Sequence, residues 1–366
     1  MATLRPSCEV VTGAARYPIY VEPGCLDSLG ALLAERSQAR RAFIVSDEVV
    51  AQAWGPRALE SCRTHGLMAE LLTIPVGEEA KSLDGAAKLY DALVEARAER
   101  RDVIVALGGG VVGDLAGFVA ATYLRGVPFV QVPTSLLAMA DAAIGGKTGV
   151  NHTRGKNLIG AFYQPLFVLE DPDTLATMPA REFREGWAEI IKHGLIRDAD
   201  LTEQLAEDIQ ALQARDPAAL TAILSASAAV KATIVSADER ESDGRMWLNY
   251  GHTVGHAIEA AAGYGRYLHG EAVAVGMLAA ATVGERMGLL NSTAVALHFD
   301  LVEAYGLPTE VDGLATDAVM EAMTLDKKAQ AGTQRWVLLE GLGNPVVRKD
   351  VPADVVTEAL AEVGID

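Results

Sequence analysis

The stretch Val103-Ile-Val-Ala-Leu-Gly108-Gly109-Gly110-Val-Val-Gly113-Asp114 decides the fold. Its first five residues are all apolar and three are β-branched, so they read as a strand with no polar face. Such a strand suits a parallel sheet covered on both sides. Three glycines end the strand, and the apolar run beyond them reads as a helix. Glycines at such a turn permit positive φ and let the backbone approach a pyrophosphate at a helix N-terminus. The spacing formally matches G-x-G-x-x-G, and two readings stay open: a dinucleotide-binding turn and a plain tight turn. Two features depart from the ordinary fingerprint. Earlier strands precede the turn, and no acidic residue stands about 20 residues further on. An acidic residue suited to a ribose comes earlier instead, at Asp47, just after a strand ending at Ser46.

Outward from this unit, short β-branched runs recur at Ala42–Ser46, Glu70–Ile74, Phe129–Val132 and Leu166–Leu169. Helical stretches such as Leu83–Ala98 separate them, and βα alternation implies an open α/β sheet. From about Arg181 onward the pattern is mostly helical, at Pro217–Asp238, Thr253–Ala262, Glu271–Met287 and Ala353–Val363. Only Arg335–Leu339 reads there as a short strand. The expected fold class is therefore α/β plus all-α. Residues 1–180 form a Rossmann-like domain with a parallel sheet, and residues 181–366 form a mainly helical domain. There is no internal repeat and no low-complexity segment.

The 366 residues suffice for two ordinary domains, and half of them are hydrophobic, as in a globular protein. Lys and Arg number 31 against 49 Asp and Glu, a net charge of −18 that should repel nucleic acid and anionic membrane. Cys8, Cys25 and Cys62 are odd in number and form no CxxC pair, which favours a reducing cytoplasm over a disulfide framework. No charged leader precedes an apolar core, so no signal peptide is expected. The longest apolar run, Ala272 to Gly284, is too short to span a bilayer and reads as a buried helix.

Three clusters carry chemistry. Arg125, Asp141, Gly145-Gly146-Lys147-Thr148 and Gly155-Lys156-Asn157 interleave cations with glycine. Lysines on a solvated helix serve solubility, but beside paired glycines ammonium groups and amides can converge on one anion. In so acidic a chain this points to a small phosphate or carboxylate substrate. The second cluster is Asn249-Tyr-Gly-His252-Thr-Val-Gly-His256, followed by His269-Gly-Glu271. His252 and His256 are four apart and share one face of a helix. Nitrogen ligands with a carboxylate are a usual zinc set with an open position, and Glu189 in Gly186-Trp-Ala-Glu189-Ile-Ile-Lys192 could supply the carboxylate. Glu189 and Lys192 read equally as a plain surface i,i+3 pair. There is no HExxH, so a metalloprotease lacks its base. The third cluster, Lys231, Asp238-Glu-Arg-Glu241 and Arg245, reads as a solvated loop kept in view by its neighbourhood.

Together these residues resemble the 3-dehydroquinate synthase family over nearly the whole chain. The matching blocks are Pro75-Val-Gly-Glu78-Glu-Ala-Lys81-Ser82, Gly108–Asp114 running on to Arg125, and Val132-Pro-Thr134-Ser135. Further on come Gly145-Gly-Lys-Thr, Gly155-Lys-Asn to Pro165, Ala188-Glu-Ile-Ile-Lys192, Leu248-Asn-Tyr-Gly-His252, His269-Gly-Glu and Asp326-Lys327-Lys328. The resemblance implies NAD, a divalent metal (Zn²⁺, with Co²⁺ as the alternative) and a sugar-phosphate acid substrate. It also implies a cytoplasmic homodimer serving aromatic amino acid biosynthesis. By resemblance the metal ligands are Glu189, His252 and His269, where spacing alone favours the His252/His256 pair. His256, Glu241 and Lys147 are the implied catalytic groups. Asp47, Glu78, Lys81, Gly110, Val111, Asp114, Thr134, Ser135, Thr177 and Glu182 are implied for NAD. Arg125, Asp141, Lys147, Lys156, Asn157, Lys192, Lys231, Arg245, Asn249, Lys327 and Lys328 are implied for substrate.

Departures from the family pattern are small. Ser135 stands where the family often has Thr, and Ala142-Ala143 where it often has Ser-Ser, which affects fine detail of the phosphate pocket. The rival readings are another sugar phosphate cyclase, a metal-dependent polyol dehydrogenase of similar fold, and a catalytically silent binding protein.

Overall fold

The computed structural model describes residues 4–13, 15–241, 244–263, 265–329 and 334–366, without the side chains of 325–329. The chain separates into two compact units. The first comprises the residues up to Pro179 together with Pro217–Arg240, and the second comprises Ala180–Asp216 and Glu241–Asp366.

The first unit is built on a seven-stranded sheet. In chain order its strands are β1 (Cys8–Val11), β2 (Arg16–Val21), β3 (Arg41–Asp47), β4 (Met68–Ile74), β5 (Val103–Gly108) and β6 (Phe129–Pro133). Beyond the two strands of a separate hairpin, β7 (Lys147–His152) and β8 (Gly155–Phe162), comes the seventh, β9 (Val168–Glu170). The spatial order is β1-β2-β9-β6-β5-β3-β4, with every pair parallel except β1 and β2. The apolar run of β5 is explained by its two faces. Val103, Val105 and Leu107 enter one core layer with Leu29, Leu33, Ala58 and Cys62. Ile104 and Ala106 enter the other with Leu89, Leu93, Val112, Leu115 and Val119. Both layers remove apolar area from water at roughly 25 cal/mol per Å², so neither face tolerates a charge.

The chain leaves β3 toward β4 on one side and returns through β5 toward β6 on the other. The reversal falls between β3 and β5, and in open α/β sheets ligands bind outside the carboxyl ends of the strands at such a point. Asp47 ends β3 and Gly108 ends β5.

Several boundaries differ from expectation. The strand read at 166–169 starts at Val168, although Leu166 N still donates to Phe129 O at 2.8 Å. The glycine-rich cationic stretch is the β7–β8 hairpin, in which Lys147 pairs with Phe162 and His152 with Gly155. The helix Pro217–Ala237 packs with the first unit, against β1 and β2, although its sequence neighbours are helices of the second. By length and composition it could cross a membrane, but 56% of its most apolar window is buried inside the protein.

Among the described residues, the second unit is helical apart from the hairpin of β10 (Trp336–Leu339) and β11 (Pro345–Arg348). Its centre is the helix His269–Arg286, in which every residue from Ala272 to Gly284 is buried. The helices Ala180–Arg197 and His252–Ala262 pack against it.

Candidate active site

In the first unit the residues read as a nucleotide site gather at the carboxyl ends of the strands. Gly109 caps the helix Gly110–Thr122, whose first N–H groups, with Val111 behind Gly110, have no intrahelical partner and favour an anion. The glycines of this turn serve close packing and not positive φ. None of Gly108, Gly109 and Gly110 has a positive φ, but a Cβ on Gly108 would stand 2.5 Å from Val112 Cγ2. A Cβ on Gly109 would stand 3.3 Å from Ser135 Oγ, which places that hydroxyl beside the turn. Thr134 N donates to Gly108 O at 3.0 Å and holds β6 in step with it.

Lys81 is buried, with Nζ 3.1 Å from Asp114 Oδ2 and 3.2 Å from Glu78 Oε1. Burial pulls its ammonium down, but Asp114 and Glu78 together outweigh this and its pKa is raised. Burial pushes Asp114 up to about 6 in spite of Lys81. Asn151, which sequence reasoning missed, ties this group to the hairpin. Its Nδ2 donates to Glu78 Oε1 at 2.7 Å, and its Oδ1 accepts from Asn157 N at 2.9 Å. Nothing in the sequence around Asn151 distinguishes it from a turn asparagine. Two expected cofactor residues have structural partners: Asp47 Oδ1 accepts from Val49 N and Val50 N, both at 3.0 Å, capping the helix Glu48–Thr64. Thr177 Oγ1 accepts from Trp54 Nε1 at 3.0 Å. Glu182 lies in the first turn of the Ala180–Arg197 helix, in the other unit.

The anion-binding candidates are only partly brought together. Lys231 Nζ donates to the Asp141 carboxylate and to its backbone carbonyl. Along the β7–β8 ladder Lys147 and Lys156 stand about four residues apart, roughly 13 Å at strand spacing. Arg125 is exposed and carries a positive φ of 68°, after Leu124 at 50°. Asn157 and Glu241 also have positive φ, 57° and 58°. Non-glycine residues held there store about 1–3 kcal/mol each and cluster at functional sites. Glu170, at the end of β9, is fully buried with no partner for either carboxylate oxygen. Burial holds it well above the usual carboxylate range, against the attraction of Lys231.

In the second unit Glu189 and Lys192 form a pair that is buried, not superficial, each about 1% exposed at its side chain. Lys192 Nζ takes one oxygen, Oε2. The other, Oε1, is buried without a hydrogen-bond partner, 3.6 Å from His252 Nε2 and 3.9 Å from His269 Nε2. An uncompensated carboxylate oxygen facing two imidazoles calls for a cation. Each histidine opens its helix, His252 after Gly251 at φ 80° and His269 after Leu268. The second helix start is held by Arg181, whose guanidinium reaches both Glu271 oxygens at 2.7 Å, and by Glu185 Oε2, which accepts from Gly270 N at 3.1 Å. His252 Nδ1 lies 3.2 Å from Tyr250 O, an acceptor only, so Nδ1 carries the proton and Nε2 presents its lone pair. Burial, then Lys192 and the two neighbouring imidazoles, hold His252 well below 6.5. It is therefore neutral, the form that binds metal. The donor atoms of Glu189, His252 and His269 all lie within 4.8 Å of one another, so this set fits a divalent ion.

His256 is exposed one turn beyond His252, its ring centroid 5.3 Å from that of His252 and 5.9 Å from that of His269. Asn249 Nδ2 donates to Glu241 Oε1 at 2.9 Å, and Arg245 is buried in the turn Gly244–Asn249. Lys327 and Lys328 lie in the helix Thr316–Ala329, with side chains outside the described residues.

A doubly covered parallel sheet, joined to a helical unit that converges a carboxylate and two imidazoles, defines a class of α/β-plus-helical enzyme with a metal-competent donor set. Two solved structures share the fold. A 2-epi-5-epi-valiolone synthase from Streptomyces hygroscopicus subsp. jinggangensis, with NAD⁺ and Zn²⁺ bound, is 30% identical with a TM-score of 0.87, covering 95% of this chain and 96% of that one. A 2-deoxy-scyllo-inosose synthase with carbaglucose-6-phosphate, NAD⁺ and Co²⁺ is 29% identical with a TM-score of 0.88, covering 97% and 99%. Within the class, the chain belongs to the 3-dehydroquinate synthase family. Residues 71–185 match the family model for the 3-dehydroquinate synthase N-terminal region and residues 186–329 that for the C-terminal region. The 3-dehydroquinate synthase of Nitrosospira multiformis is 47% identical over 362 residues, 98% of each chain.

Proposed function

We propose that the chain converts 3-deoxy-D-arabino-heptulosonate 7-phosphate into 3-dehydroquinate and inorganic phosphate, a phosphate-eliminating carbon–oxygen lyase reaction with no net redox change. The observation that carries this reading is the unpartnered Glu189 oxygen facing two imidazole Nε2 atoms, in a chain 47% identical over 98% of its length to a 3-dehydroquinate synthase. Residues 1–180 serve as the dinucleotide-binding domain and 181–366 as the metal-binding domain, with Lys231 contributed from the helix that packs on the first unit.

When bound, NAD supplies a reversible hydride acceptor and a Zn²⁺ or Co²⁺ ion on Glu189, His252 and His269 supplies Lewis acidity. The remaining work belongs to side chains of this protein. Gly110 and Val111 offer N–H groups to a pyrophosphate, and the Lys81–Asp114–Glu78 network fixes the loop beside them. Arg125, Lys147, Lys156, Lys231, Arg245 and the Lys327–Lys328 pair supply the positive charge that a multiply charged phosphate–carboxylate substrate needs in an acidic protein. Asp141, Asn157 and Asn249 bind its hydroxyls. His256 moves a proton at its exposed imidazole, and Glu241, aligned by Asn249, is the second base. The substrate's own phosphate can take the proton lost during elimination, which leaves the protein chiefly to position it. Lys192 neutralises Glu189 in the absence of a metal. The active form is a cytoplasmic homodimer, which light scattering reads.

The test is phosphate release from the heptulosonate phosphate with NAD⁺ and Zn²⁺ present, with absorbance followed in the NADH band. Phosphate with 3-dehydroquinate, no accumulating NADH and inhibition by EDTA is the expected result. Folded, loaded protein that releases no phosphate would refute the proposal, and turnover of other sugar phosphates or polyols would redirect it.

A further inference from the structure

The second unit offers a metal ion two donor sets, and they share one residue. Glu189, His252 and His269 form the first, and His256, Glu259 and His269 the second. The sets use opposite edges of the His269 ring. Its Nε2 lies 3.9 Å from Glu189 Oε1, and its Nδ1 lies 3.1 Å from Glu259 Oε2. One neutral imidazole has one lone pair to give, so the chain has to choose between them.

We infer that Glu259 is a positioning residue for the metal site: its carboxylate accepts the Nδ1 proton of His269 and thereby turns the Nε2 lone pair toward Glu189, and it is not itself a ligand. The inference rests on the metal reading above. Four observations carry it. Glu259 is only 7% exposed, so a hydrogen bond to it is made away from water and a carboxylate there needs a donor. Its Oε2 already meets such a donor in His269, whereas Glu189 Oε1 is buried with none. The His252 ring repeats the arrangement, with Nδ1 on the carbonyl of Tyr250 and Nε2 toward Glu189. Two rings thus spend Nδ1 on an acceptor and aim Nε2 at one carboxylate. The third member of the rival set, His256, is exposed.

A carboxylate behind a ligating histidine fixes ring orientation and raises basicity, and its removal typically weakens metal binding ten- to a hundredfold. No residue spacing announces this role, because Glu259 is seven positions after His252 and reads simply as a helix glutamate in His256-Ala-Ile-Glu259.

The experiment measures zinc affinity and stoichiometry by competition with a chromophoric chelator, on full-length wild type, Glu259→Gln, Glu259→Ala and His256→Ala. Visible spectra of the Co²⁺ forms and the melting temperature of each metal-free variant are recorded alongside. The expected result is one ion per wild-type chain, unchanged affinity in His256→Ala, and a ten- to hundredfold loss in Glu259→Gln with altered Co²⁺ bands. Glu259→Gln keeps the side chain's shape, so its metal-free melting temperature should match the wild type even where Glu259→Ala falls. Wild-type affinity and spectrum in Glu259→Gln would overturn the inference and leave the metal reading standing. A second ion per chain, lost in His256→Ala, would overturn it by making Glu259 a ligand. A wild type that binds no zinc would overturn both.

Discussion

Replacing Gly276 with alanine probes how the two histidine-bearing helices are held together. Gly276 lies midway along the helix His269–Arg286, facing the start of the helix His252–Ala262. A Cβ there would stand 2.0 Å from Gly251 O and 2.8 Å from Gly255 N. Real Cβ atoms essentially never approach closer than 3.0 Å, so the helices must part by about 1 Å at that point. Gly251 immediately precedes His252, and the displacement passes directly to that proposed ligand. Metal–ligand distances tolerate only about 0.2 Å, so zinc affinity should fall at least tenfold. Overpacking of this kind costs about 1–3 kcal/mol, a drop of roughly 2–10 °C in melting temperature. Chelator competition and calorimetry read the two effects. Gly284→Ala is the control on the same helix, because its Cβ would meet Leu290 Cβ at 3.5 Å and Leu339 O at 3.8 Å, both ordinary van der Waals contacts. It should be neutral or stabilising by up to about 1 kcal/mol from helix propensity. Wild-type zinc affinity together with a wild-type melting temperature in Gly276→Ala would refute the close-packing argument.

Three further outcomes are expected. His256→Asn should lower kcat for phosphate release by about 10²–10⁴ with zinc content unchanged, and a kcat within about threefold of wild type would remove His256 from proton transfer. Glu170→Val should stabilise the protein at pH 7 by about 1–3 kcal/mol, because it removes a buried carboxylate whose oxygens have no partners. Glu170 has a raised folded pKa, so the folded state holds more protons than the unfolded one, and the wild type should lose ground to the variant as pH rises from the ordinary carboxylate range. A Glu170→Val protein that melts lower than wild type at pH 7 would contradict this. For Asp114, raised to about 6, the same sign applies in a defined window. Stability of the wild type relative to Asp114→Asn should fall by up to roughly 3 kcal/mol between about pH 4 and about pH 6, and denaturation curves with a pH-independent difference would refute it.

Much of the first unit was legible because its signals are local. The double-sided apolar run of β5 and the glycine turn after it need no distant partner to be read, and they located the sheet and the strand ends at its topological reversal. The helix 217–237 was legible as a helix but not as part of the first unit, since nothing in its own sequence names the strands it covers. The short β1 and β2 were passed over for the same reason, as they are stabilised by each other and by β9. At the candidate metal centre, a spacing of four favoured His252 with His256, and the resemblance favoured His252 with His269. Helical spacing records which side chains share a face but not which way a ring is turned. That turn depends on Tyr250 O and on Glu259, acceptors that lie off the motif. Burial of the Glu189–Lys192 pair was likewise unreadable, because a surface pair and an internal pair have the same spacing.

The ammonium of Lys192 against Glu189 has a consequence for how the protein meets its metal supply. Small zinc domains collapse when stripped, because nothing else neutralises their ligands. Here the chain carries a tethered counter-ion that keeps one carboxylate oxygen compensated, and the two apolar layers of the first unit contain none of the proposed ligands. Without an ion, Glu189 is therefore left with one bare oxygen rather than two. On the metal reading proposed above, loss of the ion should weaken the fold rather than abolish it, and melting curves with and without a chelator read the difference.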